Sequence, residues 1–242
     1  MADEYDRITS FHYSTYRPPL HNLILDKCIP KNHTYDTGLD LGCGTGQSSI
    51  ALTSYCQEVI GLEPSESMLK KSINHDKVKY HLFNGIDLDF SNDIFDIITF
   101  AGSLYYAKSQ RLLDEVVRVS KRNANIIVYD FEINLDNVLM KLIGRTADAH
   151  NLKYNHEEDF SGLSQKNIQK ERSSKDEVFL KVSNGEILHL LLATKDKYLL
   201  LLEKFGKSQL DTKISAALDK VMPLKIHDLK VKIFYAVYRV LK

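Results

Sequence analysis

The chain of 242 residues has no excess of either charge, since 32 Lys plus Arg balance 32 Asp plus Glu. That balance argues against a broad electrostatic surface for nucleic acid or anionic lipid, although a local basic groove stays open. Cysteine is scarce: Cys28, Cys43 and Cys56 are odd in number and form no C-x-x-C. This fits a reducing compartment without structural disulfides. The nine histidines form no H-E-x-x-H and no tight Cys/His cluster, so no metal site is implied. Long apolar runs are missing too. The greasiest stretch, Ile187 to Leu202, is broken by Thr194-Lys195-Asp196-Lys197, so nothing is expected to span a membrane. The first residues, Met-Ala-Asp-Glu-Tyr-Asp, lack the basic and apolar regions of a signal peptide. A soluble, cytoplasmic protein is the expectation, with its oligomeric state left open.

Glycine is sparse overall, yet three of the eleven crowd into one turn. Thr37 to Gln47 reads as a buried strand ending in Asp40, a turn with Gly42, Gly44 and Gly46, and the start of a helix. Such a turn lets backbone amides approach a ligand closely, and the helix start adds N–H groups to the cradle. A second acid, Glu63, closes the next apolar run, 63 − 42 = 21 residues after the first glycine. At that spacing a βαβ unit sets a carboxylate beside a ribose. The pattern is neither of the commoner nucleotide loops. Residue 47 is glutamine where a dinucleotide fingerprint needs glycine, and no phosphate-binding G-x-x-x-x-G-K-[ST] run exists. An acid two residues ahead of the turn repels a pyrophosphate and suits a positively charged ligand end.

Asp40-Leu41-Gly42-Cys43-Gly44-Thr45-Gly46 and Gly61-Leu62-Glu63-Pro64-Ser65 resemble motifs I and II of the class I S-adenosylmethionine-dependent methyltransferases. The rest of the chain agrees with that family's layout. Apolar runs of strand length occur at Thr37–Leu41, Glu58–Leu62, Val78–Phe83, Phe95–Phe100 and Asn125–Phe131, with helical patterns at Gln47–Tyr55, Ser65–Asn74 and Ser109–Lys121. Alternation of this kind, with continuously apolar strands, means a parallel sheet covered on both faces. Ligands bind at the carboxyl ends of such strands, where Asp40, Glu63, Asn84 and Ala101 fall. The expected fold is a Rossmann-like α/β class I methyltransferase with a mostly parallel seven-stranded sheet and a helical cap after strand five. It is expected as a single domain over residues 1–242: an N-terminal arm and helix (1–35), a cofactor-binding core (36–133), a cap (134–225) and a final strand (226–242). Ser183-Asn184-Gly185-Glu186 has the form of a capping box at the head of one cap helix.

The resemblance implies a set of roles. Gly42, Gly44 and Gly46 would pass under the methionine part of S-adenosyl-L-methionine, and Asp40 would contact its amino group directly or through water. Glu63, with Pro64 after it, would accept the ribose hydroxyls. In the turn Asn84-Gly85-Ile86-Asp87, the Ile86 amide would meet the adenine and Asp87 its exocyclic amine. Ala101 begins the segment facing the methyl group. There Tyr105 and Tyr106 replace the histidine–tryptophan pair of the trans-aconitate methyltransferase-like members, which the segment Tyr13 to Pro18 also resembles. Tyr13, Arg17, Tyr105 and Tyr106 are the candidate catalytic residues, with His12 and His150 the histidines to be considered as bases. With no obvious base in sight, O-methylation of a small carboxylic acid is the expected reaction, because an ionised carboxylate needs none. RNA or protein methylation on the same core, and cofactor binding without transfer, are the alternatives.

Overall fold

The structure is a computed structural model and describes residues 8, 9, 11, 12, 15, 16, 18–145 and 154–242. The elements, in chain order, are α1 (Leu20–Cys28), β1 (Tyr35–Leu41), α2 (Gln47–Leu52), β2 (Cys56–Glu63), α3 (Glu66–Leu69), β3 (Val78–Leu82), β4 (Phe95–Ala101), α4 (Leu104–Ala107), α5 (Gln110–Val119) and β5 (Ser120–Ile133). There follow α6 (Asp136–Ile143), β6 (Ile168–Val182), α7 (Asn184–Leu192), α8 (Lys195–Phe205), α9 (Leu210–Val221) and β7 (His227–Val240). One seven-stranded sheet runs in the order β3-β2-β1-β4-β5-β7-β6. The pairs β1–β2, β1–β4, β2–β3 and β4–β5 are all parallel. The order reverses between β1 and β4, which is where a ligand crevice opens in a doubly wound sheet.

Two compact units divide the chain. One comprises residues 19–131, 154–176 and 233–242, and the other residues 1–18, 132–153 and 177–232. The first holds the core. Leu39, Leu41, Ile98, Phe100, Ile126 and Val128, from the apolar runs of β1, β4 and β5, are buried in one cluster with Leu112, Leu113 and Val116 of α5. That helix is amphipathic, with Ser109 accepting the Leu112 N–H at 3.2 Å as its N-cap. Each such buried aliphatic side chain stabilises the fold by ~1.5–3 kcal/mol. Gly38 lets α2 settle on the sheet: a Cβ there would lie 2.8 Å from Cys56 Sγ and 3.0 Å from Leu52.

The helices beyond β5 come as α6 before the sixth strand and α7, α8 and α9 between the sixth and seventh. At the head of α7 the capping box forms as expected, with Ser183 and Glu186 exchanging hydrogen bonds. At the sheet edge, β6 is studded with charge. Lys170 pairs with Asp159 at 2.6 Å and Arg239 with Glu171, which keeps an open strand from templating another chain. The helix expected over Ser65–Asn74 shortens to Glu66–Leu69, because none of its side chains is buried. Beyond it the Ile73 N–H reaches back to Thr45 O at 3.2 Å. Among the described residues no helix is long and apolar enough to cross a membrane, and no group of three or more His, Cys, Asp or Glu is placed to hold a metal ion. All three cysteines are free thiols and buried.

Candidate active site

The carboxyl ends of β1, β2 and β4 meet around the glycine turn. The Gly42 and Cys43 N–H groups both donate to Leu62 O, at 2.8 and 3.0 Å, and Gly46 N–H donates to Cys43 O at 2.9 Å. The three glycines serve different ends. A Cβ on Gly42 would lie 2.4 Å from the Ser103 Cβ, and one on Gly46 would lie 2.0 Å from the Tyr80 hydroxyl oxygen. Those two allow protein to pack against protein. Gly44, at φ +57°, has only Met68 Sδ nearby, 3.8 Å from such a Cβ. Its bare Cα faces open space, which is where a ligand would need it bare.

Two acids hold this turn in different ways. Asp40 is fully buried. Its Oδ2 accepts the hydroxyls of Ser48 (2.6 Å) and Ser49 (2.7 Å), and its Oδ1 that of Thr99 (2.9 Å). Burial raises its pKa, and the three hydroxyls pull against that rise. The resemblance sets Asp40 against the cofactor's amino group; the structure sets it beneath the turn, engaged with α2 and β4. Glu63 reaches the turn itself. Its Oε2 accepts the Gly44 N–H and its Oε1 the Ser65 N–H, both at 2.9 Å. A carboxylate oxygen has two acceptor positions, so each keeps one for a further donor. Pro64, between them and exposed, has no N–H to compete with that of Ser65.

Residues 39–128 match the family model described as a methyltransferase domain. This segment carries a methyltransferase domain. A Dictyostelium discoideum protein named as a methyltransferase is 28% identical over 117 residues, which are 48% of this chain and 43% of the relative. The demethylmenaquinone methyltransferase of Clavibacter sepedonicus is 34% identical over 98 residues, 38% of this chain and 40% of that one. The chain therefore spans less than half the length of the curated relatives it matches. Over most of its length it shares the fold of a solved structure from Anaeromyxobacter dehalogenans described as a type II methyltransferase. The TM-score is 0.64 at 18% identity, over 94% of this chain and 98% of that one.

Within this methyltransferase core the turn after β3 departs from the expectation. Asn84 Oδ1 accepts the N–H groups of both Ile86 and Asp87 at 2.9 Å, which closes an Asx turn. The Ile86 amide is therefore already paired inside the turn, and the Ile86 side chain is exposed. Asp87 is bound to Arg111. Gly85, at φ +90°, has open space around it.

After Ala101 the chain turns at Gly102, whose N–H donates to Tyr129 O at 2.8 Å, and Ser103 Oγ is bound to Leu41 O. This ties the segment after β4 to the glycine turn. Tyr105 and Tyr106 stand with ring centroids 5.3 Å apart, and both touch Tyr154, at 4.8 and 5.5 Å. Burial, and then the charge of Asp130, raises the Tyr154 and Tyr106 pKa values, so neither ionises readily.

Asp130, Tyr154 and His156, which meet here, went unnoticed in the sequence. Tyr154 and His156 lie 24 and 26 residues beyond Asp130, and the one available signal was an acid near the end of an apolar run. Of the other expected residues, Tyr13, Arg17 and His150 lie outside the described residues. His12 belongs to the second unit, where its Nδ1 lies 2.9 Å from His189 Nδ1 and its Nε2 3.7 Å from Asp211. Burial lowers its pKa, and the nearby Asp211 works against that.

Proposed function

We propose that this chain binds S-adenosylmethionine and transfers its methyl group to an oxygen of a small molecule. The observation that carries the reading is Gly44: its bare Cα faces open space beside a carboxylate already fixed at its own N–H. The methionine part would lie along Gly42, Gly44 and Gly46, with Asp40 holding that turn in shape from beneath. Glu63 would spend its remaining acceptor positions on the ribose hydroxyls, each charge-assisted bond contributing ~1.5–3 kcal/mol. Pro64 and the turn Asn84-Gly85-Ile86-Asp87 would border the adenine. Ala101, Tyr105 and Tyr106 would face the methyl end, where aromatic faces tolerate a sulfonium charge.

When bound, the sulfonium supplies a methyl group on a leaving group that is already activated. The chain's own task is alignment, exclusion of water and control of the acceptor's proton. The sequence favoured a carboxylic acid because it showed no base. Tyr13 and Arg17, two of the candidate catalytic residues, lie outside the described residues. The zero net charge favours a small acceptor over a polyanion. Calorimetry with S-adenosylmethionine and with NAD tests the reading: the first should bind and the second should not. Binding of NAD alone would overturn it.

A further inference from the structure

One ring holds the glycine turn from the side. Tyr80 of the edge strand β3 pairs with Gly61 of β2, and its side chain crosses that neighbour to reach the turn. A Cβ on Gly61 would lie 2.8 Å from Tyr80 Cδ1, and one on Gly46 would lie 2.6 Å from Cζ as well as 2.0 Å from the hydroxyl oxygen. Atoms do not pack that closely, so two bare glycines make room for one tyrosine. Gly46 is also the N-cap of α2, at φ +91°, and its carbonyl accepts the Ile50 N–H at 2.9 Å. The ring therefore rests where the glycine turn passes into α2.

The Tyr80 hydroxyl has a second contact. It donates to Ile73 O at 3.1 Å, and the Ile73 N–H donates in turn to Thr45 O at 3.2 Å. Residues 65–73 are thus fixed to the turn at both ends. Ser65 is held through Glu63, which also takes the Gly44 N–H, and Ile73 is held through Thr45 and Tyr80. Between those ends Met68 Sδ stands over Gly44, 3.8 Å from where a Cβ would be, and α3 buries none of its side chains. A segment with so little packing opens readily, so its few hydrogen bonds decide how much of the time it stays in place. Burial, and then Cys43 and Asp40 nearby, push the Tyr80 pKa up to about 12, so the hydroxyl keeps the proton that it donates.

We infer that Tyr80 is a positioning residue for the cofactor: its ring seats the glycine turn, and its hydroxyl latches residues 65–73 beside Gly44. This rests on the cofactor reading above, which puts the ligand at Gly44. Tyr80 acts through the turn and the latched segment, by preorganisation. The apparent affinity of a ligand falls in proportion to the fraction of protein whose site is already formed, and loss of the latch lowers that fraction. Ring and hydroxyl are separable. Tyr80→Phe removes the hydrogen bond to Ile73 and keeps the ring over Gly46 and Gly61, whereas Tyr80→Leu removes both.

Amide hydrogen exchange on the intact, ligand-free protein tests the latch. Tyr80→Phe should speed exchange at the Ile73 N–H by ~2–10-fold, the effect of one net hydrogen bond, while the amides of β1 and β4 exchange as in the wild type. Calorimetry with S-adenosylhomocysteine should then show Tyr80→Phe binding ~2–10-fold more weakly, and stopped-flow should show faster dissociation. Tyr80→Leu should bind more weakly still and melt below Tyr80→Phe, because the packing of the ring is lost as well. Unchanged exchange at Ile73 in Tyr80→Phe overturns the inference. So does a Tyr80→Phe protein that binds S-adenosylhomocysteine as tightly as the wild type, including one that melts lower, since that is the mark of packing alone. Wild-type protein that bound no S-adenosylhomocysteine would instead refute the cofactor reading, and exchange at Ile73 would still decide whether Tyr80 latches this segment.

Discussion

Gly44→Ala separates folding from cofactor binding. The new Cβ meets only Met68 Sδ at 3.8 Å, an ordinary contact, so its main cost is φ +57°. A left-handed conformation costs a residue with a Cβ about 1–2 kcal/mol. At about 2–4 °C per kcal/mol for a chain of this size, the melting temperature should fall by ~2–8 °C. The methyl group, however, projects into the space assigned to the cofactor. Affinity for S-adenosylhomocysteine should drop at least tenfold, ~1.4 kcal/mol. Gly42→Ala is the control, because its Cβ would sit 2.4 Å from the Ser103 Cβ at φ +74°. It bears the same backbone cost plus about 1–3 kcal/mol of overpacking, and should melt clearly lower. Thermal melts without ligand and calorimetry with it measure the two effects. A folded Gly44→Ala protein that binds as tightly as the wild type would refute the assignment of the turn.

Glu63→Gln keeps the shape of the side chain but loses its charge; calorimetry should show binding weakened ~10-fold or more, in line with ~1.5–3 kcal/mol per charged hydrogen bond. Asp40 has its pKa raised chiefly by burial. Its contribution to stability is therefore present below its ordinary value of 3.8 and lost as pH rises through the higher folded value. Asp40→Asn should flatten the dependence of melting temperature on pH between 3.8 and that higher value. Asp159 behaves oppositely: burial pushes its pKa up, but hydrogen bonds from Lys170 and Ser161 prevail and bring it to about 2. That stability is present above its ordinary 3.8 and lost as pH falls towards 2. Lys170→Met should make the protein less sensitive to acid in that window, as followed by circular dichroism.

The sheet core was legible because its strands are continuously apolar and its turns are marked by glycine and acid. β1, β2, β4 and α5 lie within a few residues of where periodicity puts them. Where packing ceased to govern, the sequence misled. The helical pattern over Ser65–Asn74 suggested a longer helix, but its Met68 and Ile73 are exposed, and the chain is instead drawn towards Thr45. Asp40 and Asn84 show a different limit. A side chain whose type and spacing suit a ligand can also face its own backbone or the core. Only coordinates reveal that Asp40 is enclosed by three hydroxyls and that Asn84 has captured the Ile86 amide. The meeting of Asp130 with Tyr154 and His156 is a contact between residues 24 and 26 positions apart, for which periodicity gives no signal.

The two backbone hydrogen bonds at Glu63 have a consequence for turnover. They join the Gly44 turn to the start of α3, so the chain itself braces the loop. On the proposed reading this prebuilt grip falls on the parts of the cofactor that methyl transfer leaves unchanged. Spent and fresh cofactor would then be held by the same contacts, and the product would compete with its own precursor. The rate of such an enzyme follows the ratio of the two in its surroundings, and clearance of the demethylated product becomes as important as supply of the acceptor.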